Sequence, residues 1–225
     1  METRKYYYDL HVHTNQYSRC SNMDPVMMVD RAIEIGLDGV CITDHDQLWP
    51  EDRLEELRNY AGKKSARGLT ILNGQEVRSA ENCDHLVYGH SESLINGVYS
   101  VKDLENYLRG NKVPVIGAHP LRNDFSFGDM LYAVRFDALE AYNNMFSDEE
   151  EEVLNLIASL NLCTIGGSDA HNVRSLGRIV TETWQPLTSI NDLVGVIFAG
   201  KCRAVENAYF PETSRSKGRS RPERK

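Results

Sequence analysis

Four short clusters of potential metal ligands each follow an apolar, β-rich run: His11-Val12-His13, Thr43-Asp44-His45, Ala118-His119-Pro120 and Ser168-Asp169-Ala170-His171. A chain that ends four strands this way is constrained to a sheet whose strand ends share one rim, because only there can the side chains meet. Five of the seven histidines stand in these clusters, so the pattern outweighs the ordinary reading of a lone histidine as a capped or core side chain. In a strand, residues i and i+2 point to the same face. His11 and His13 therefore present two imidazoles side by side, and Asp169 and His171 can do the same. Imidazole and carboxylate donors suit borderline or hard divalent cations, and a site holding several ions needs a bridging carboxylate. Glu76, at the end of the run Leu72-Asn73-Gly74-Gln75-Glu76-Val77, is the expected bridge.

Strand-like and helix-like segments alternate around these clusters. Strands are expected at Tyr6 to Val12, Leu37 to Thr43, Leu69 to Val77, His85 to Gly89, Val113 to Ala118, Phe136 to Tyr142 and Leu162 to Gly167. Pro25 to Ile35 has helical apolar spacing, with Asp24 as N-cap and Pro at the first position, and Gly36 stops it. Further helices are expected near Glu51 to Tyr60, at Val101 to Leu108, at Asp148 to Leu160 after Ser147, and at Ser189 to Ala199. The acids Asp148 to Glu152 read as favourable charges at a helix N-terminus. Strands separated by helices imply a largely parallel sheet, and about seven such units favour closure into a barrel.

The length of 225 residues suits one domain with a sizeable core. A net charge of −8 argues against general nucleic-acid binding by the whole surface, and it means that an anionic substrate needs metal ions or local arginines to offset repulsion. Cys20, Cys41, Cys83, Cys163 and Cys202 are widely spaced, odd in number and without a C-x-x-C pair, so they form neither a disulfide framework nor a structural zinc knuckle. Cys41 and Cys163 read as core residues. The polar start, Met1 to Lys5, leads straight into a strand, and no apolar run approaches a membrane span; the chain reads as cytoplasmic. Residues 1–210 are expected to form the domain, and the basic segment 211–225, poor in apolar residues, is expected to be a disordered tail.

The ordered motifs D-L-H-x-H-T, I-T-D-H, G-x-E, H-L-x-x-G, G-A-H-P and G-S-D-A-H resemble the PHP superfamily, named for polymerase and histidinol phosphatase, over about Tyr6 to Ala208. The resemblance implies a distorted (β/α)7 barrel and phosphoester hydrolysis with two to three divalent ions, usually Zn, Mn or Fe. Carried over by position, His11, His13, Glu76 and Asp169 hold the first ion, Glu76, His85 and His119 the second, and His45 and His171 a third. The chain departs from the family where an Asp or His commonly completes the third site: it has Tyr17-Ser18-Arg19-Cys20-Ser21, and a guanidinium offers no lone pair to a metal. Arg19 is instead a candidate phosphate clamp, as is Arg122, because a planar guanidinium matches phosphate oxygens. Arg174 and Arg178 are secondary candidates.

Several alternatives stay open at this level. His45 and His171 are candidate catalytic groups that assist the leaving group. His90 competes with His85. Asp9 and Asp44 read as acids that orient imidazoles, and Asp46 and Asp84 as solvated loop acids. The favoured function is hydrolysis of a small phosphorylated substrate, such as a sugar phosphate, histidinol phosphate or nucleotide, by a metal-bound hydroxide. The alternatives are a catalytically weak module serving as a partner or nucleic-acid-binding subunit through the basic tail, and an exonuclease acting on nucleic-acid ends.

Overall fold

Tyr6–Val12 forms β1, an aromatic and β-branched run that is buried along most of its length. Its path, and that of the rest of the chain, is given by a computed structural model describing residues 4–45, 47–122, 125–142, 150–160 and 162–208. The expected tail and the expected cap Ser147 lie outside the described residues. Helix α1, Pro25–Glu34, starts as its sequence dictates: the Asp24 carboxylate accepts from the Val26 and Met27 amides, and proline occupies the first turn. Then follow β2 (Gly39–Ile42), α2 (Glu51–Lys64), β3 (Thr70–Arg78), β4 (Asp84–Tyr88), α3 (Val101–Gly110), β5 (Ile116–Gly117), α4 (Met130–Ala133) and β6 (Ala138–Tyr142). The chain continues through α5 (Glu150–Leu160), β7 (Cys163–Gly166), β8 (Ile179–Thr183), α6 (Ile190–Phe198) and β9 (Cys202–Glu206). Ser189 and Asp192 close a reciprocal capping box on α6. No described helix is long and apolar enough to cross a membrane.

The nine strands form one sheet in the order β7-β6-β5-β4-β3-β2-β1-β8-β9. The expectation of a largely parallel sheet is corrected here. β1–β2, β2–β3, β5–β6 and β6–β7 are parallel, whereas β3–β4, β4–β5, β1–β8 and β8–β9 are antiparallel. The physical reason is loop length: β3 reaches β4 through a short connection, too short for a crossover helix. The sheet is nearly closed into a barrel. At the seam between its ends, Thr164 of β7 accepts from the Ala204 amide of β9 at 3.0 Å. Nearby, Thr181 Oγ1 accepts from the Gly166 amide at 2.9 Å. The segment after β7 pairs with β1 through the His13 amide and Ala170 carbonyl, 3.0 Å apart.

One apolar cluster draws Tyr8, Leu10, Cys41, Leu72, Leu86, Tyr88, Ile116, Ala138 and Ile165 together with Leu193, Val196 and Ile197 of α6. A cluster fed by seven successive strands must be enclosed by the sheet. Two further clusters pack α1 and α2 against β1–β3, and α3, α4 and α5 against β4–β6. The polar side chains of the clusters named above gather beyond the enclosed core, at the rim where β1, β2, β3 and β7 end.

Candidate metal centre

The first donors come from β1. His11 and His13 are fully buried, and their Nε2 atoms face each other at 3.0 Å. Each ring is fixed from behind. His11 Nδ1 lies 3.0 Å from Glu140 Oε1, so it donates there and Nε2 keeps its lone pair for the site. His13 Nδ1 lies 3.2 Å from Ser18 Oγ, and Ser18 in turn donates to Asp44 at 2.7 Å. Asp44 also accepts from the Thr14 amide, the Thr14 hydroxyl and the Trp49 indole. Asp44 therefore orients His13 through a serine. Asp9 orients backbone instead, accepting from the amides of Ser168 and Gly177 and from the Ser168 hydroxyl next to Asp169.

Glu76 sits at the centre. Its carboxylate oxygens lie 3.4 Å from His11 Nε2, 3.1 Å from His13 Nε2, 3.0 Å from His119 Nε2 and 3.3 Å from His45 Nδ1. Three groups have donor atoms close enough together to hold an ion: His11, His13 and Asp169; Glu76, Asp84 and His119; and His13, His45 and His171, the first and third sharing His13. The donor set fits a divalent cation on this structure's own terms. His45 Nδ1 is buried, faces Glu76 and makes no hydrogen bond, and two imidazole nitrogens converge on the same carboxylates. Two residues of these groups, His119 with φ 28° and Asp169 with φ 49°, hold backbone conformations that side chains other than glycine rarely adopt. The His119 amide is anchored on Glu140 Oε2 at 2.8 Å. Glu140 thus positions two different imidazole-bearing segments, and the sequence signal for it is an acid inside the otherwise apolar strand Ala138–Tyr142.

Asp84 corrects the reading of a solvated loop acid: it is 1% exposed and belongs to the second group. The cause is strand direction. β4 runs antiparallel to β3, so its first residue lies at the rim where β3 ends, and Asp84 pairs with Arg78. Residues opposite one another share a face, which puts Asp84 and Glu76 on one side and His85 on the other. His85 instead packs edge-on to Phe127 at 5.0 Å, with both ring nitrogens unpartnered, and burial pushes it down to about 4. Asp84→Asn is accordingly expected to weaken metal affinity by at least about 10²-fold, the upper end of what losing an outer partner costs, whereas His85→Gln leaves metal content within error. Equal losses in elemental analysis of the two variants would contradict this placement. His90 is half-buried and bonds the Glu92 carbonyl, away from the cluster. Asp46 lies outside the described residues.

A cavity of about 680 Å³ opens onto the cluster, lined among others by Arg19, Cys20, Arg78, Arg122, Phe125 and His171. Arg122 donates to Asp169 at 3.0 Å, and Arg78 holds Asp84 with two nitrogens at 2.8 and 2.9 Å. Both guanidiniums also stand over the Phe125 ring, at 4.2 Å for Arg78 and 5.4 Å for Arg122. Arg19 is exposed at the mouth, while Arg174 and Arg178 do not line this cavity. Arg78 was not singled out from the sequence; its only signal is its place two residues after Glu76, on the same strand face. Cys20 contacts His171: burial raises its thiol pKa, and the neighbouring imidazoles outweigh that and lower it.

The charges within the cluster are mutually dependent. Burial opposes ionisation of His11, His13 and His119, but the surrounding carboxylates prevail, raising all three, His13 to about 10. Burial pushes Glu76 and Asp169 up, and the imidazoles outweigh it and hold both low. A raised histidine stabilises the fold fully below its unfolded pKa, about 6.5, and that contribution is lost as pH rises through the folded value. The depressed His45 and His85 act in the opposite sense, and their effect fades once the unfolded imidazoles have also lost their protons. Metal-free protein should therefore lose melting temperature as pH rises from about 6.5 to 8.5. With Zn or Mn added the trend should reverse, because ions and protons compete for the same nitrogens. Calorimetry across this range checks it, and a flat metal-free profile would count against the charge pattern.

The PHP domain family model matches residues 9–185. Among solved structures, PsfC from Pseudomonas syringae PB-5123 superposes with a TM-score of 0.68 at 19% identity, covering 93% of this chain and 94% of that one. A two-domain Bacteroides vulgatus ATCC 8482 protein described as containing a predicted PHP-like metal-dependent phosphoesterase has a TM-score of 0.68 at 18% identity, over 90% of this chain and 65% of that one. The lesion-specific endonuclease PfuEndoQ from Pyrococcus furiosus has a TM-score of 0.62 at 17% identity, over 89% and 58% respectively. At these identities the likeness is one of fold. No curated protein matches significantly.

Proposed function

Because this chain belongs to the PHP domain family, we propose that it is a metal-dependent phosphoesterase acting on a small phosphorylated substrate, such as a sugar phosphate, histidinol phosphate or nucleotide. The observation that carries the reading is the Glu76 carboxylate shared by four imidazoles beneath an arginine-lined cavity. His11, His13, Glu76 and Asp169 would hold one ion, Glu76, Asp84 and His119 a second, and His13, His45 and His171 a third. Bound ions of the Zn, Mn or Fe class would polarise a phosphoryl oxygen and lower the pKa of water.

The chain's own residues supply the rest. Arg19, Arg78 and Arg122 receive the substrate's negative charge at the mouth, offsetting locally the acidic surface that would otherwise repel it. Two of these guanidiniums are held in place by Asp84, Asp169 and the Phe125 ring, so little freedom is lost when substrate docks. Where the third ion is absent, His45 and His171, the more exposed imidazoles of the cluster at 22% and 31%, are suited to exchange a proton with the leaving group. His171 Nδ1 is engaged with the Asp169 carbonyl at 2.9 Å, leaving Nε2 toward the cavity. A cavity of about 680 Å³ matches a substrate of nucleotide size.

The test is hydrolysis by Mn- or Zn-supplemented protein of a phosphomonoester and a phosphodiester, then of sugar phosphates, nucleotides and short oligonucleotides. Chelator-sensitive release from a small ester is expected. Arg19→Ala should raise KM about 10-fold with kcat nearly unchanged, since Arg19 stands clear of the ligands. Metal-loaded protein inert toward the whole panel would overturn the reading.

A further inference from the structure

Cys163 and Cys202 lie 39 positions apart, and the fold brings them face to face. Their sulfurs are 2.9 Å apart, and Cys163 Sγ is also 3.4 Å from the Cys202 carbonyl. They stand on β7 and β9, the two ends of the nine-stranded sheet, which no backbone ladder joins among the described residues. The Thr164 hydroxyl bonded to the Ala204 amide holds the same two strands in register beside the sulfurs. Between β7 and β9 themselves the described contacts are thus made by side chains, and a thiol pair sits across this part of the seam.

We propose that Cys163 and Cys202 are a reversible dithiol modification site that a low-molecular-weight disulfide, such as oxidised glutathione, converts to a cross-link closing the barrel. The Cys163 thiolate attacks one reagent sulfur, expelling one equivalent of reduced thiol and leaving a mixed disulfide. Cys202, once deprotonated, attacks the Cys163 sulfur and expels the second equivalent. Two protein S–H bonds become one S–S bond, the reagent is reduced to two thiols, and those thiols carry the protons away. Cys163 is the entry point because it is half-buried, whereas Cys202 is 5% exposed. Consistently, the bond from Cys202 lowers the Cys163 thiol below its ordinary value, and the same contact raises Cys202. The cross-link would tie down β7, the strand that leads into Ser168, Asp169 and His171.

The experiment equilibrates the full chain, as purified, with glutathione redox buffers of stepped potential, then alkylates free thiols and maps peptides by mass. The expected product is a Cys163–Cys202 cross-linked peptide that dithiothreitol reverses. Closure of a loop of this size should raise the melting temperature by about 5–10 °C. Cys163→Ser and Cys202→Ser should lose both the cross-link and the shift. Cys20, the exposed cysteine, gives only glutathione adducts or intermolecular products, which the peptide map separates. Two free thiols at Cys163 and Cys202 under oxidising buffer, or glutathione retained on Cys163 with Cys202 free, would overturn the proposal. The wild-type peptide map decides the matter even if a serine variant fails to fold.

Discussion

Replacing His13 with alanine is expected to remove turnover by about 10³-fold or more and to lower bound metal by at least one equivalent per chain. On the proposed assignment His13, like Glu76, belongs to two of the three ligand groups, and its Nε2 also touches both Glu76 and Asp169. On that assignment its loss opens two sites at once, which exceeds the 10–100-fold cost typical of an outer partner. The fold should survive, because the enclosed apolar core lies below the rim and does not include His13. Circular dichroism with elemental analysis separates these outcomes. A folded variant with full metal and full turnover would remove His13 from the site.

Glu76→Gln is expected to be comparably severe, for a different reason. Glutamine keeps the shape and removes the charge, so four imidazoles lose the carboxylate that gathers them. Metal content should fall by an equivalent or more, and turnover by about 10³-fold. The metal-free variant carries a second signature. Without Glu76 the imidazoles lose a main support of their raised pKa, so NMR titration should find His13 and His119 shifted down toward ordinary values. Unchanged histidine titrations in a folded variant would mean that Glu76 is not the hub of the cluster.

The parts of this centre that could be read from the sequence are those governed by strand periodicity. His11 with His13, and Asp169 with His171, follow from the i, i+2 rule after a strand, and the structure gathers them with His45, Glu76 and His119 at one rim. Reversal of chain direction was the obstacle elsewhere. Ser79 to Cys83 is too short for a crossover helix and turns β4 back antiparallel, yet the H-L-V-Y-G context draws attention to His85 while that reversal turns Asp84 inward. Glu140 and Arg78 were hidden because their roles lie in tertiary contacts to His11, His119 and Asp84, distant in sequence. The sequence signals for β8 and β9 are likewise weak. Ile179-Val180-Thr181 carries β-branched residues, but Cys202–Glu206 alternates only weakly and owes its strand to pairing with β8. The adjacency of Cys163 and Cys202 depends on barrel closure, which no spacing rule encodes.

The metal content of protein purified without chelator, measured by elemental analysis per folded chain, bears most directly on a multinuclear centre. Two or more equivalents of Zn, Mn or Fe are expected, removable by chelator together with hydrolytic activity and restored with it. A folded chain that takes up no divalent metal, even after supplementation with Zn and Mn, would contradict such a centre.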